Sequence, residues 1–119
     1  MLDTDKRMID KSTVQHYKWG NNCDGWHLLK SADLSVIHER MPPGTSETKH
    51  LHRVSRQFFF VLSGVIVIEM DGQREELHAS QGVEVNPGTA HQVFNTSDSD
   101  AEFLVVSQPP SHADRETVA

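Results

Sequence analysis

Eight histidines fall within 119 residues, and their placement matters more than their number. His50 and His52 are two residues apart, so in an extended segment both imidazoles point to the same face. Two imidazoles on one face can chelate a divalent ion, with each nitrogen about 2.0–2.1 Å from zinc. His91 follows the turn-forming run Pro87-Gly-Thr-Ala90 and begins an alternating segment with Val93 and Asn95 on its side. The competing reading makes all three ordinary surface histidines beside turns. An HxH pair does not decide between the two, so the framework around it must.

The elements available to position these groups are strands. Residues 34–41 have the length and β-branched content of one, with Leu34, Val36, His38 and Arg40 on one face. Pro42, Pro43 and Gly44 end it, because a proline cannot donate to a sheet ladder. Residues 57–62 are apolar on both faces, as in a strand held between layers. Phe58, Phe60 and Leu62 alternate there with Gln57, Phe59 and Val61: one set fills the interior, the other packs on a second sheet or another subunit. Asp71-Gly72 separates segments 65–70 and 73–77 and predicts a type I′ hairpin, whose two central residues need positive φ. Segments 82–85, 91–95 and 101–107 complete the series, and an early strand carries Trp26, expected in the core, and His27. Short strands about ten residues apart, with no helical period, predict an all-β sandwich or barrel. Residues 1–12 read as a flexible arm, 13–108 as one domain and 109–119 as a mobile tail; a fold-back of 111–115 over the barrel mouth is the tail's other reading.

The spacing Gly44-x5-His50-x-His52-x4-Gln57-x6-Gly64 resembles the first motif of the cupin family. Gly82-x4-Pro87-x3-His91-x3-Asn95 resembles the second, with one residue fewer between glycine and proline. The likeness covers residues 34–106 and extends to small stand-alone cupins often likened to the cupin domain of mannose-6-phosphate isomerase. It implies a double-stranded β-helix, a jelly-roll barrel. It also implies a metal site whose ligands fall on His50, His52, Gln57 and His91, and a homodimer, the state that family members commonly form.

The departure is Gln57, which stands where the family has glutamate. Its amide oxygen can coordinate but brings no negative charge. Three imidazoles and an amide leave an ion its full positive charge, which favours anionic ligands such as enolates, carboxylates or phosphates. The same donor set points to one divalent transition ion, Zn, Ni, Fe or Mn, rather than Mg or Ca. Two alternatives stay open: a three-histidine site with Gln57 standing off, and a barrel that has lost its metal.

These readings lead to a metal-dependent enzyme acting on a small oxygenated molecule. Its chemistry would be dioxygenase-type with Fe(II), or isomerase- or lyase-type with zinc or nickel. A non-catalytic module that binds a small ligand or sugar is the main alternative; a metal-free epimerase with a histidine base is a third. No catalytic residue is assigned, and Glu39, Glu84 and His38 are candidate bases only where they face inward. A net charge of −6 and a pI near 5.7 argue against nucleic acid or an anionic membrane surface as partner. The longest apolar stretch, 58–70, is interrupted by Ser63, Gly64 and Glu69 and is too short to span a bilayer. Cys23 is the single cysteine, so no internal disulfide forms, and with no apolar h-region near the start the expected compartment is the cytoplasm.

Overall fold

The computed structural model describes residues 7–112 and 114–118. Half of the expected N-terminal arm, residues 1–6, therefore lies outside the described residues, as do Ala113 and Ala119 of the expected tail. Eleven strands and no helix form among the described residues: β1 (His16–Trp19), β2 (Cys23–Lys30), β3 (Ser35–Met41), β4 (His50–His52), β5 (Arg56–Ser63), β6 (Ile66–Met70), β7 (Gln73–Leu77), β8 (Gly82–Val85), β9 (His91–Phe94), β10 (Ala101–Gln108) and β11 (Arg115–Thr117). They build two antiparallel sheets, one ordered β1-β2-β3-β10-β5-β8 and the other β11-β4-β9-β6-β7. This is the all-β, double-stranded β-helix barrel that the sequence predicts. No helix is long and apolar enough to cross a membrane.

Strand parity decides what fills the barrel. On β5, Gln57, Phe59 and Val61 are buried while Phe58 and Leu62 remain about two-fifths exposed, at 42% and 41%. Ala101, Phe103, Val105 and Ser107 of β10 face inward beside them, in the register Phe103↔Val61 and Ser107↔Gln57. β3 adds Ser35, Ile37, Glu39 and Met41, with Ser35 opposite Ser107 and Met41 opposite Ala101. Read along these three strands, the interior grades from apolar to polar. Met41, Val61, Ala101 and Phe103 join Ile66, Ile68 and Val93 in the core at one end. Ser35, Gln57 and Ser107 surround the other.

Local chemistry accounts for the connections. Asp71 and Gly72 both take positive φ, 52° and 80°, as a type I′ turn requires, and Met70 pairs with Gln73. Gly64 has φ of 78°, and a Cβ there would collide with the carbonyl of Asp100, so only glycine fits the turn out of β5.

His38, a candidate base only where it faces inward, points out: its Nε2 lies 2.6 Å from Glu102 Oε1, and its ring meets that of Trp26 edge-on at 5.4 Å. Two expectations need correction. Trp26 leaves the core for the same outer surface, where Lys11 lies 4.5 Å over its ring. In place of a mobile tail, the described residues 110–112 and 115 fold back along the cavity, the tail's other reading, and Arg115, Glu116 and Thr117 pair with His52, Leu51 and His50 as an edge strand. An edge strand supplies backbone partners that β4, only three residues long, otherwise lacks on that side.

Candidate metal centre

His50 and His52 share the inward face of β4, and β9 brings His91 directly opposite His50. All three imidazoles are buried, and their ligand atoms lie within 4.8 Å of one another. Ring centroids are 4.4 Å apart for His50–His91 and 4.9 Å for His50–His52.

The tautomers follow from the acceptors. His50 Nδ1 donates to the Thr48 carbonyl at 2.7 Å, and His91 Nδ1 to the Thr89 carbonyl at 2.9 Å. His52 Nδ1 donates to Asp114 Oδ1 at 2.9 Å. A carbonyl or carboxylate only accepts here, so each Nδ1 carries the proton and each Nε2 presents a bare lone pair. Burial pushes His50 down to about 3 and lowers His52 and His91 from the ordinary imidazole range, which keeps all three neutral near pH 7. Neutral imidazoles with Nδ1 engaged are the form that ligates metal.

Gln57 joins them at the barrel's polar end. Its amide Nε2 donates to Ser107 Oγ at 3.0 Å and to Ser111 Oγ at 3.4 Å. Its Oε1 is buried with no hydrogen-bond partner, and so is His91 Nε2. Each such atom costs about 1–3 kcal/mol when left unpaired. Two of them beside two more bare imidazole nitrogens make a donor set suited to a Lewis-acidic ion.

A cavity of about 420 Å³ opens from this centre between the two sheets. Glu39 lines it, whereas Glu84 and His38, the other candidate bases, do not. Tyr17 also lines it and donates a long 3.5 Å hydrogen bond to Glu39 Oε2. Burial pushes Glu39 up to about 7, against the opposing Tyr17 hydrogen bond. Burial, reinforced by the charge of Glu39, pushes Glu47 up to about 8; its Oε2 accepts from Val93 N at 3.1 Å. Lys30 and Arg115 bring positive charge to the same cavity.

Several of these groups carried no local signal in the sequence. Asp114 touches His52 across 62 positions, and Tyr17 reaches Glu39 across 22. Strand pairing brings them together: Tyr17 and Glu39 flank Gly25 on β1, β2 and β3, and Asp114 immediately precedes β11 alongside β4.

Comparison with known proteins agrees with this geometry. The family model described as Cupin domain matches residues 37–107, more than half of the chain. An uncharacterized protein of Methanocaldococcus jannaschii is 25% identical over 91 residues, 76% of this chain and 73% of that protein. An oxalate-binding protein of Thermotoga maritima is 30% identical over 67 residues, 56% of this chain and about half, 55%, of the relative's length. Among solved structures, a predicted oxalate decarboxylase from Thermotoga maritima superposes with a TM-score of 0.79 over 87% of this chain and 99% of that one, at 22% identity. With both histidine motifs seated on facing strands of one barrel, the chain belongs to the cupin family.

Proposed function

We propose that the protein is a metal-dependent enzyme of the isomerase or lyase type, moving a proton on a small oxygenated molecule that carries an acidic group. The observation behind this is that a three-histidine cluster, of which His50 and His52 line the cavity, shares that cavity with the Tyr17–Glu39 dyad. His50, His52 and His91 would hold the ion, with Gln57 Oε1 as a fourth donor. A Zn, Ni, Fe or Mn ion there would polarise a substrate oxygen with its positive charge undiminished, because no donor is anionic. Glu39 exchanges a proton near neutrality, and Tyr17 fixes which carboxylate oxygen faces the cavity. Arg115 and Lys30 pair with the acidic group of the substrate, while Ile37, Phe59 and Val105 exclude water. The oxalate-binding relative supports a small carboxylate as ligand. It also supports the second reading, a module that binds such a molecule without turning it over.

The exposed Phe58 and Leu62 on the outer sheet face support a homodimer closed by a second copy of this face.

Elemental analysis of protein purified without a tag or added metal tests the centre; one equivalent of a transition ion is expected. Deuterium uptake from D2O into a panel of 2-hydroxy and 2-oxo acids then tests the chemistry. Glu39→Gln should slow that exchange by about 10²–10⁴-fold with metal content unchanged. Binding without exchange favours the module; stoichiometric iron with oxygen uptake redirects the reading to a dioxygenase. Protein that takes up no Zn, Ni, Fe or Mn ends the metal reading.

A further inference from the structure

His52 differs from its two partners in what holds it. The Nδ1 protons of His50 and His91 go to carbonyls two residues upstream, so the local chain alone sets those tautomers. His52 depends instead on Asp114, a side chain of the segment returning from β10. Asp114 is itself clamped: its Oδ2 accepts from Val54 N and Ser55 N, each at 2.9 Å, leaving Oδ1 aimed at the imidazole. The same returning segment supplies Ser111 Oγ to the Gln57 amide and Arg115 as the register partner of His52. Pro110, Ser111, His112 and Arg115 also wall the cavity. On its other side β4 pairs with β9 through His50↔His91, and His52 O accepts from Gly88 N at 2.7 Å. The wall that carries two prospective ligands thus leans on the returning segment.

We propose that Asp114 is the positioning residue of the metal centre. By taking the Nδ1 proton of His52 it leaves Nε2 bare and fixes the ring's angle towards the ion. Because the same carboxylate pins the loop after β4, occupancy of the centre and order of the returning segment support one another. By linkage, whatever loosens one weakens the other by the same factor. This rests on the metal reading above, yet its first test needs no ion.

The test uses the full chain, ¹⁵N-labelled and stripped of metal. Long-range ¹H–¹⁵N correlations report which ring nitrogen of each histidine carries the proton. Wild type should show His52 as the Nδ1–H tautomer. Asp114→Ala should shift His52 towards Nε2–H and leave His50 and His91 unmoved. Asp114→Asn keeps one carbonyl acceptor and should restore part of the Nδ1–H population, which also covers the case of an alanine variant that folds poorly. Titration with Zn(II) or Ni(II) should then give affinity about 10–100-fold weaker in Asp114→Ala than in wild type, with the asparagine between them. Amide exchange of 111–112 and 114–118 should slow on adding Zn(II) to wild type and much less in the alanine variant. His52 retaining Nδ1–H in Asp114→Ala, or wild-type affinity in that variant, overturns the role of Asp114 alone. Wild-type protein that takes up neither ion overturns the metal reading, and the role of Asp114 towards an ion falls with it.

Discussion

Gln57→Met should make the metal-free protein more stable and the metal-loaded protein less so. Methionine has nearly the same length and no polar atom that must be paired. The substitution removes a buried, unpartnered Oε1, relieving about 1–3 kcal/mol, and adds roughly 1 kcal/mol of apolar burial. Against this, the bonds to Ser107 at 3.0 Å and Ser111 at 3.4 Å are lost and the buried Ser107 hydroxyl is left without its donor, together a cost of about 2 kcal/mol. The net gain is about 1 kcal/mol, or about 4 °C in Tm for a chain of this length. Zinc at a hundred times its Kd should stabilise wild type by about 2.7 kcal/mol through mass action. If Gln57 is a donor, its loss weakens binding by about tenfold or more and removes at least about 1.4 kcal/mol of that gain. The order of the two melting temperatures should therefore invert on adding zinc. Differential scanning calorimetry of both proteins, with chelator and with zinc, reads this directly. A variant less stable than wild type by about 1 kcal/mol in chelator, with an unaltered zinc-induced shift, would show that Gln57 only braces the barrel.

Other outcomes are expected. For metal-free protein, urea midpoints should trace a dome against pH. His50, His52 and His91 have folded values below the ordinary 6.5, so the stability they contribute is present above about 6.5 and lost as pH falls below it, down to about 3 for His50. Glu39 and Glu47 have folded values raised to about 7 and about 8, so their contribution is full below about 4.5 and lost as pH climbs through 7 and 8. A midpoint that stays flat between about 4 and 6.5 contradicts the histidine part. Phe103→Ala, at a side chain 1% exposed, should cost about 3–5 kcal/mol in chemical denaturation. Phe58→Glu should lower the sedimentation coefficient towards that of a monomer while leaving metal content unchanged; a wild-type monomer removes the proposed dimer.

Much of the fold was legible because it rests on local rules. The parity of His50 and His52, the positive-φ demand at Asp71-Gly72 and the proline stop after Met41 all concern neighbours in the chain, and all hold in the barrel. Parity alone, however, does not say which face turns in. Val36, His38 and Arg40 share a face, but Glu102 and Asp24 await the two polar members outside, and Ser35, Ile37 and Glu39 take the interior. Trp26 went astray for a related reason. Its bulk suggests a core, yet three flanking groups, His16, His38 and Lys11, give it a partner surface outside the barrel. The tail misled because 109–119 is polar and short on strand formers. The edge strand at 115–117 follows Asp114, which caps Val54 and Ser55, contacts about 60 positions away that no window of sequence contains.

The gradient of side chains along β3, β5 and β10 has a further consequence for traffic. Among the described residues, phenylalanine, methionine and aliphatic groups close one end, so a visitor would come and go at the polar end. Arrival and departure would then compete for the same space, and a product that lingers would delay the next molecule. A long chain entering there would do so tip first, with its terminal unit nearest the histidines.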